Sequence, residues 1–122
     1  MKIWKILVAD DEEDMREALK LSFESHFKCQ ISLADCAQSA IGLLRQFQFD
    51  LVVSDMNMGK DSGLDIFKFL KCKENSPPVV FFSGTSFDFL DGAIVPPIVA
   101  LIAKPNYDEL MSCVREQLAK IA

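Results

Sequence analysis

No basic stripe, no long apolar run and no paired cysteines occur in this sequence, and each absence removes a class of protein. Acidic residues outnumber basic ones, 18 to 13, for a net charge of −5, which argues against a nucleic-acid surface. The longest apolar stretch, Ala93 to Ala103, is interrupted by Pro96 and Pro97 and is too short to span a bilayer. Cys29, Cys36, Cys72 and Cys113 are scattered without metal-type spacing, three of them in segments that read as buried strand or helix; they read as free thiols of a reducing compartment. The N-terminus has no apolar stretch ending in a small-residue cleavage site, so a cytoplasmic location is expected. The single histidine, His26, falls near the end of the first expected helix and carries no catalytic expectation, and the single tryptophan, Trp4, reads as packing.

What is present is a strict alternation. Five apolar runs, Ile3–Ala9, Cys29–Leu33, Leu51–Ser54, Val79–Ser83 and Ile98–Ala103, are rich in Val, Ile, Leu and Phe. Near-continuous apolar runs are how strands buried on both faces read, which implies a parallel sheet. The segments between them have helical spacing. Met15, Ala18, Leu19 and Phe23 make one stripe; Ala37, Ala40, Ile41, Leu44 and Phe47 a second; Ile66, Phe67 and Leu70 a third; Leu110, Val114, Leu118 and Ile121 the last. Asn106, three residues before Glu109, is expected to cap that last helix. In the fourth connection, Gly84, Gly92, Pro96 and Pro97 leave room only for a short or irregular helix. The pattern predicts one domain, residues 1–122, with an open doubly wound parallel sheet and helices on both faces.

Such sheets bind ligands beyond the carboxyl ends of their strands. The first run ends in Asp10-Asp11, the third in Asp55, the fourth in Ser83-Gly84 and the fifth in Lys104-Pro105. Taken alone, Asp10-Asp11 reads as a helix cap and Lys104-Pro105 as a turn. Together they gather three carboxylates at one edge. Two unit charges about 4 Å apart repel by roughly 4 kcal/mol at an effective dielectric of about 20. Lys104 and a hard divalent cation would offset this, and magnesium suits such a site. The set fits phosphoryl transfer to a carboxylate nucleophile, with the Ser83 hydroxyl and a backbone N–H near Gly84 holding phosphoryl oxygens.

At this point the chain resembles the receiver domain of bacterial two-component response regulators. The matching pieces are I-L-V-A-D-D at Ile6–Asp11, D-L-V-V-S-D-M-N-M at Asp50–Met58, S-G-L-D at Ser62–Asp65, V-V-F-F-S-G at Val79–Gly84 and A-K-P at Ala103–Pro105. The resemblance implies a flavodoxin-like five-stranded sheet of order 2-1-3-4-5. It implies Asp55 as phosphoacceptor, Asp11 as a direct magnesium ligand, Asp10 as one acting through water, and Asn57 as a ligand through its backbone carbonyl. Ser83 matches the switch hydroxyl and Lys104 the lysine that pairs with a phosphoryl oxygen. A histidine kinase or phosphotransfer protein would be the donor and an unidentified protein the output partner, with no nucleic acid or membrane bound and a monomeric or weakly dimeric state. Beyond its own phosphorylation and dephosphorylation, no enzyme activity is expected.

Four positions depart from that family. Gly59 stands where proline is usual, which predicts a looser loop after Asp55; Leu101 replaces an aromatic residue; Pro96-Pro97 replaces Gly-Ala; Asn106 replaces Phe. The last three alter the usual output surface, and a signal is expected to leave through Gly84–Leu90, with Phe87 and Phe89. A degenerate receiver acting without phosphorylation is the alternative. A flavin carrier is disfavoured because the loop after the first strand is acidic, and a phosphatase with an aspartyl nucleophile, which would need a second carboxylate for acid-base work near it, ranks last with it.

Overall fold

A computed structural model describes residues 2–85 and 94–121. Its elements run β1 (Trp4–Ala9), α1 (Glu13–His26), β2 (Cys29–Ala34), α2 (Ala37–Gln46), β3 (Leu51–Ser54), α3 (Gly63–Lys71), β4 (Val79–Ser83), β5 (Ile98–Ala103) and α4 (Tyr107–Lys120). The five strands form one parallel sheet of order 2-1-3-4-5. The centre of the fourth connection, with Phe87, Phe89, Leu90 and Gly92, lies outside the described residues.

The apolar runs are continuous because both faces of the sheet are covered. Along β1, Leu7 and Ala9 point into one core and Ile6 and Val8 into the other. The first core takes Ala37, Ala40 and Leu44 from α2 and Ile66 and Leu70 from α3. The second takes Leu19 and Phe23 from α1 and Leu110, Val114 and Leu118 from α4. Successive strand residues face opposite sides, so each run must be apolar at every position rather than at every second one.

Several local expectations change. Ala18 is exposed, and Phe47 and Ile121 sit at helix C-caps with about half their surface in water. These stripe members mark the helix period without reaching the core. Of the cysteines, Cys36 is buried, Cys29 and Cys113 are half-buried and Cys72 is exposed, and all four are free. Asn106 does occupy the N-cap of α4, but its side chain makes no capping hydrogen bond. The reciprocal cap is on α3 instead, where the Ser62 hydroxyl accepts from the Leu64 N–H at 3.1 Å and the Asp65 carboxylate accepts from the Ser62 N–H at 3.2 Å.

The carboxyl edge of the sheet is locked by backbone contacts. The Asp10 N–H donates to the Ala34 carbonyl at 3.0 Å, the Asp55 N–H to the Ala9 carbonyl at 2.8 Å, and the Lys104 N–H to the Ser83 carbonyl at 2.9 Å. These bonds tie β2, β1 and β3 together, and β4 to β5, at the end where the polar residues emerge.

Candidate functional site

Asp10, Asp55 and Ser83 are buried although they are polar. Buried polar groups need partners, and these three find them in one another and in Lys104. The Lys104 ammonium donates to Asp10 Oδ2 at 2.8 Å and to Asp55 Oδ2 at 3.2 Å. The Ser83 hydroxyl donates to Asp55 Oδ1 at 2.6 Å. The second Asp10 oxygen accepts the Glu12 N–H at 2.9 Å. Both oxygens of both buried carboxylates are thereby engaged.

Asp11 is exposed at the same edge. One carboxylate oxygen each from Asp10, Asp11 and Asp55 lies within 4.8 Å of the other two. A cleft of about 350 Å³ opens over them, lined by Asp11, Asp55, Asn57, Ser83, Thr85 and Lys104 among others. A larger cleft, about 530 Å³, lies over Pro105–Glu109, but it is formed by one stretch of chain and gathers nothing from the other strand ends. The smaller cleft is therefore the candidate site. Three hard oxygen donors beside open space suit a divalent cation that keeps some of its water.

Burial by itself would lower the Lys104 pKa. The hydrogen bond to Asp10 and the charges of Asp10 and Asp55 outweigh that and raise it above the ordinary lysine value. Its contribution to stability is thus complete below the ordinary lysine pKa and is lost only as pH rises through the raised one. The ammonium stays charged throughout the neutral range, so the site keeps one fixed positive charge against three carboxylates.

Asp10, Asp11, Asp55, Ser83 and Lys104 meet here, with Asn57 on the rim. The Asn57 side chain accepts the Gly59 N–H at 3.0 Å. Asn57 is bridged to Ser62. The bonds of that bridge run from the Met58 N–H to the Asp61 carbonyl at 3.1 Å and from the Gly63 N–H to the Met56 carbonyl at 2.8 Å. They belong to the neighbours of Asn57 and leave its own carbonyl out of the bridge. Gly59 has φ of 78°, a left-handed backbone that proline cannot adopt. The loop expected to be loose is instead closed by hydrogen bonds along a path of its own.

Three further residues escaped the sequence reading. The Thr85 hydroxyl lies 2.9 Å from the Ser83 hydroxyl. The Arg16 guanidinium donates to the Asp10 backbone carbonyl at 2.7 Å. Gly63 is packed so closely that an added Cβ would stand 2.5 Å from the Asp55 carbonyl oxygen and 2.7 Å from the Phe81 ring. A hydroxyl two residues past Ser83 was a visible signal; the other two contacts join segments whose approach only the fold defines. His26 bonds the Ser22 carbonyl on α1, and Trp4 lies at the amino end of β1, both away from the site.

The comparisons agree with this geometry. The family model of the response regulator receiver domain matches residues 6–115. The sensory transduction protein LytT of Bacillus cereus is 36% identical over 85 residues, covering 69% of this chain and 34% of that protein. The response regulator protein PilR of Pseudomonas aeruginosa is 33% identical over 90 residues, covering 74% of this chain and 20% of its own length. The chain thus spans about a third or less of these relatives. The response regulator TrrA of Thermotoga maritima, a crystal structure in complex with Mg(2+)-BeF, has a TM-score of 0.83 at 25% identity, covering 94% of this chain and 99% of that one. Among the described residues no helix is long and apolar enough to cross a membrane. With its sheet order, its acidic triad and a family match across most of its length, this chain belongs to the response regulator receiver domains, the phosphorylation-dependent signalling modules of two-component systems.

Proposed function

We propose that residues 1–122 form one receiver domain in which Asp55 takes a phosphoryl group from a phosphohistidine donor, a histidine kinase or a phosphotransfer protein. The observation that carries this reading is the Asp55 carboxylate held between the Ser83 hydroxyl at 2.6 Å and the Lys104 ammonium at 3.2 Å, at the edge of an open cleft. An Asp55 oxygen would form the new O–P bond while the donor's N–P bond breaks and the imidazole leaves with the electron pair. Lys104 and Ser83 already touch the carboxylate, so each can follow the phosphoryl oxygens with little movement. Positioning and charge stabilisation of this kind are most of what phosphoryl transfer requires.

Asp10, Asp11, Asp55 and the Asn57 carbonyl would hold magnesium. When bound, the ion supplies positive charge against the phosphoryl oxygens. The domain works on its own carboxylate and turns over no separate substrate. Its output is a changed surface read by another protein, in the cytoplasm, without direct contact with nucleic acid. The intact carboxylate set speaks against a receiver that has lost phosphorylation.

Intact-protein mass spectrometry after treatment with acetyl phosphate and magnesium tests the assignment. One phosphoryl adduct is expected on the wild type and none on Asp55→Asn, with the variant still folded by circular dichroism. A full adduct on the variant, or phosphate mapped to another aspartate, would overturn it.

A further inference from the structure

The donor set of this site is split between two parts of the chain. Asp10 and Asp11 come from the end of β1, whereas Asp55 and Asn57 come from β3 and the loop after it. A metal binds well only if the two parts are held at a fixed spacing before it arrives, since otherwise binding must also order the loop. The Asp55 N–H holds β3 to β1, but the hydrogen bonds that close the following loop on itself, around the left-handed corner at Gly59, do not fix the spacing of Asn57 from the end of β1. Something else has to fix it.

Asp61 does so. Its Oδ1 accepts the Ala37 N–H at 2.9 Å and its Oδ2 accepts the Gln38 N–H at 3.1 Å. These are the first two residues of α2, whose N–H groups have no partner within their own helix. The residue before them, Cys36, reaches the third N–H, that of Ser39, at 3.5 Å through its sulfur and leaves the first two to Asp61. The carboxylate also meets the positive end of the helix dipole. Meanwhile the Asp61 carbonyl holds the Met58 N–H at 3.1 Å, next to Asn57. On the far side, α2 follows β2 directly, and the Ala34 carbonyl at the end of β2 accepts the Asp10 N–H at 3.0 Å. A short path therefore runs Asp10, Ala34, Ala37, Asp61, Met58, Asn57, and it joins the two halves of the donor set.

We infer that Asp61 is a positioning residue for the metal: without ligating the ion, it sets magnesium affinity by pinning the Asn57 loop to the N-terminus of α2. Its carboxylate is turned to the N–H groups of α2 and is not among the carboxylates that converge on the cleft. The inference rests on the reading of Asp10, Asp11, Asp55 and Asn57 as the magnesium site. Linkage makes the coupling reciprocal, so magnesium must tighten the start of α2 by the same factor by which Asp61 tightens magnesium.

Magnesium titration by calorimetry, well below the melting temperature, tests it on the wild type, Asp61→Ala, Asp61→Asn and Asp50→Ala. Asp50 accepts the Lys5 N–H at 2.9 Å, a comparable carboxylate-to-backbone bond at the opposite end of the sheet, and serves as the control for general loss of stability. Asp61→Ala is expected to weaken magnesium about tenfold, equivalent to about 1.4 kcal/mol. Asp61→Asn, which keeps one acceptor oxygen, should lose less, and Asp50→Ala should bind as the wild type does. Saturating magnesium should slow amide exchange at Ala37 and Gln38 in the wild type by about the same tenfold factor. This second readout stands even if Asp61→Ala does not fold. Unchanged affinity in Asp61→Ala, or exchange at Ala37 and Gln38 indifferent to magnesium, overturns the role of Asp61. A wild type that binds no magnesium overturns the metal-site reading itself, and the inference falls with it.

Discussion

The two ends of the sheet each carry an aspartate–lysine pair, and they are built for different purposes. At the amino end Lys2 meets Asp50 at 3.4 Å, with side chains 53% and 23% exposed. At the carboxyl end Lys104 meets Asp10 at 2.8 Å, with side chains 13% and 2% exposed, and meets Asp55 at 3.2 Å as well. The exposed pair is screened by water and contributes little. In the buried cluster one ammonium faces carboxylates withdrawn from solvent, and removing it leaves them uncompensated. The same two residue types thus decorate one end and organise the other, and burial is what separates the two cases.

The largest expected effect is at Lys104. Replacing it with methionine should cost about 3 kcal/mol, the usual penalty for breaking a buried pair. Lys2→Met should cost less than about 1 kcal/mol. Urea unfolding of both variants compares them directly, and equal losses would erase the contrast between the ends.

Magnesium sharpens it further. The wild type should gain about 2.7 kcal/mol at a magnesium concentration about 100 times the dissociation constant. Asp11→Ala should lose this gain and Asp50→Ala should keep it. Thermal shift is the suitable assay, because Trp4 lies at the amino end of β1 and reports the site poorly. A shift that survives Asp11→Ala would place the ion elsewhere.

Two glycines give the contrast at finer scale. Gly63 lies against the Asp55 carbonyl and the Phe81 ring, so Gly63→Ala forces backbone or ring to move and should cost about 2 kcal/mol. Gly42, inside α2, has open space where a Cβ would go. Gly42→Ala should stabilise by about 0.5–1 kcal/mol through helix propensity alone. Chemical denaturation midpoints should move in opposite directions, and a loss at Gly42 would mean that α2 has less room than it shows.

The order of residues alone made five strands, four helices and four of the strand-end groups legible. A strand covered on both sides must be apolar at every position, so β1, β3 and β4 announce themselves, and a polar residue that ends such a run has only the sheet edge to occupy. Asp10, Asp55, Ser83 and Lys104 were legible for that reason. Contacts between segments far apart in the chain were not. Asp61 meets Ala37 across 24 positions. Asn106 had the residue type of a cap and stood at the right place, yet its side chain makes no capping bond. Gly59 read as a source of slack, and the fold turned it into a left-handed corner of a closed loop. Periodicity and residue type report which way a side chain must face, because burial imposes that locally; which distant backbone group it then meets depends on how the helices pack on the sheet, and only the tertiary structure decides that.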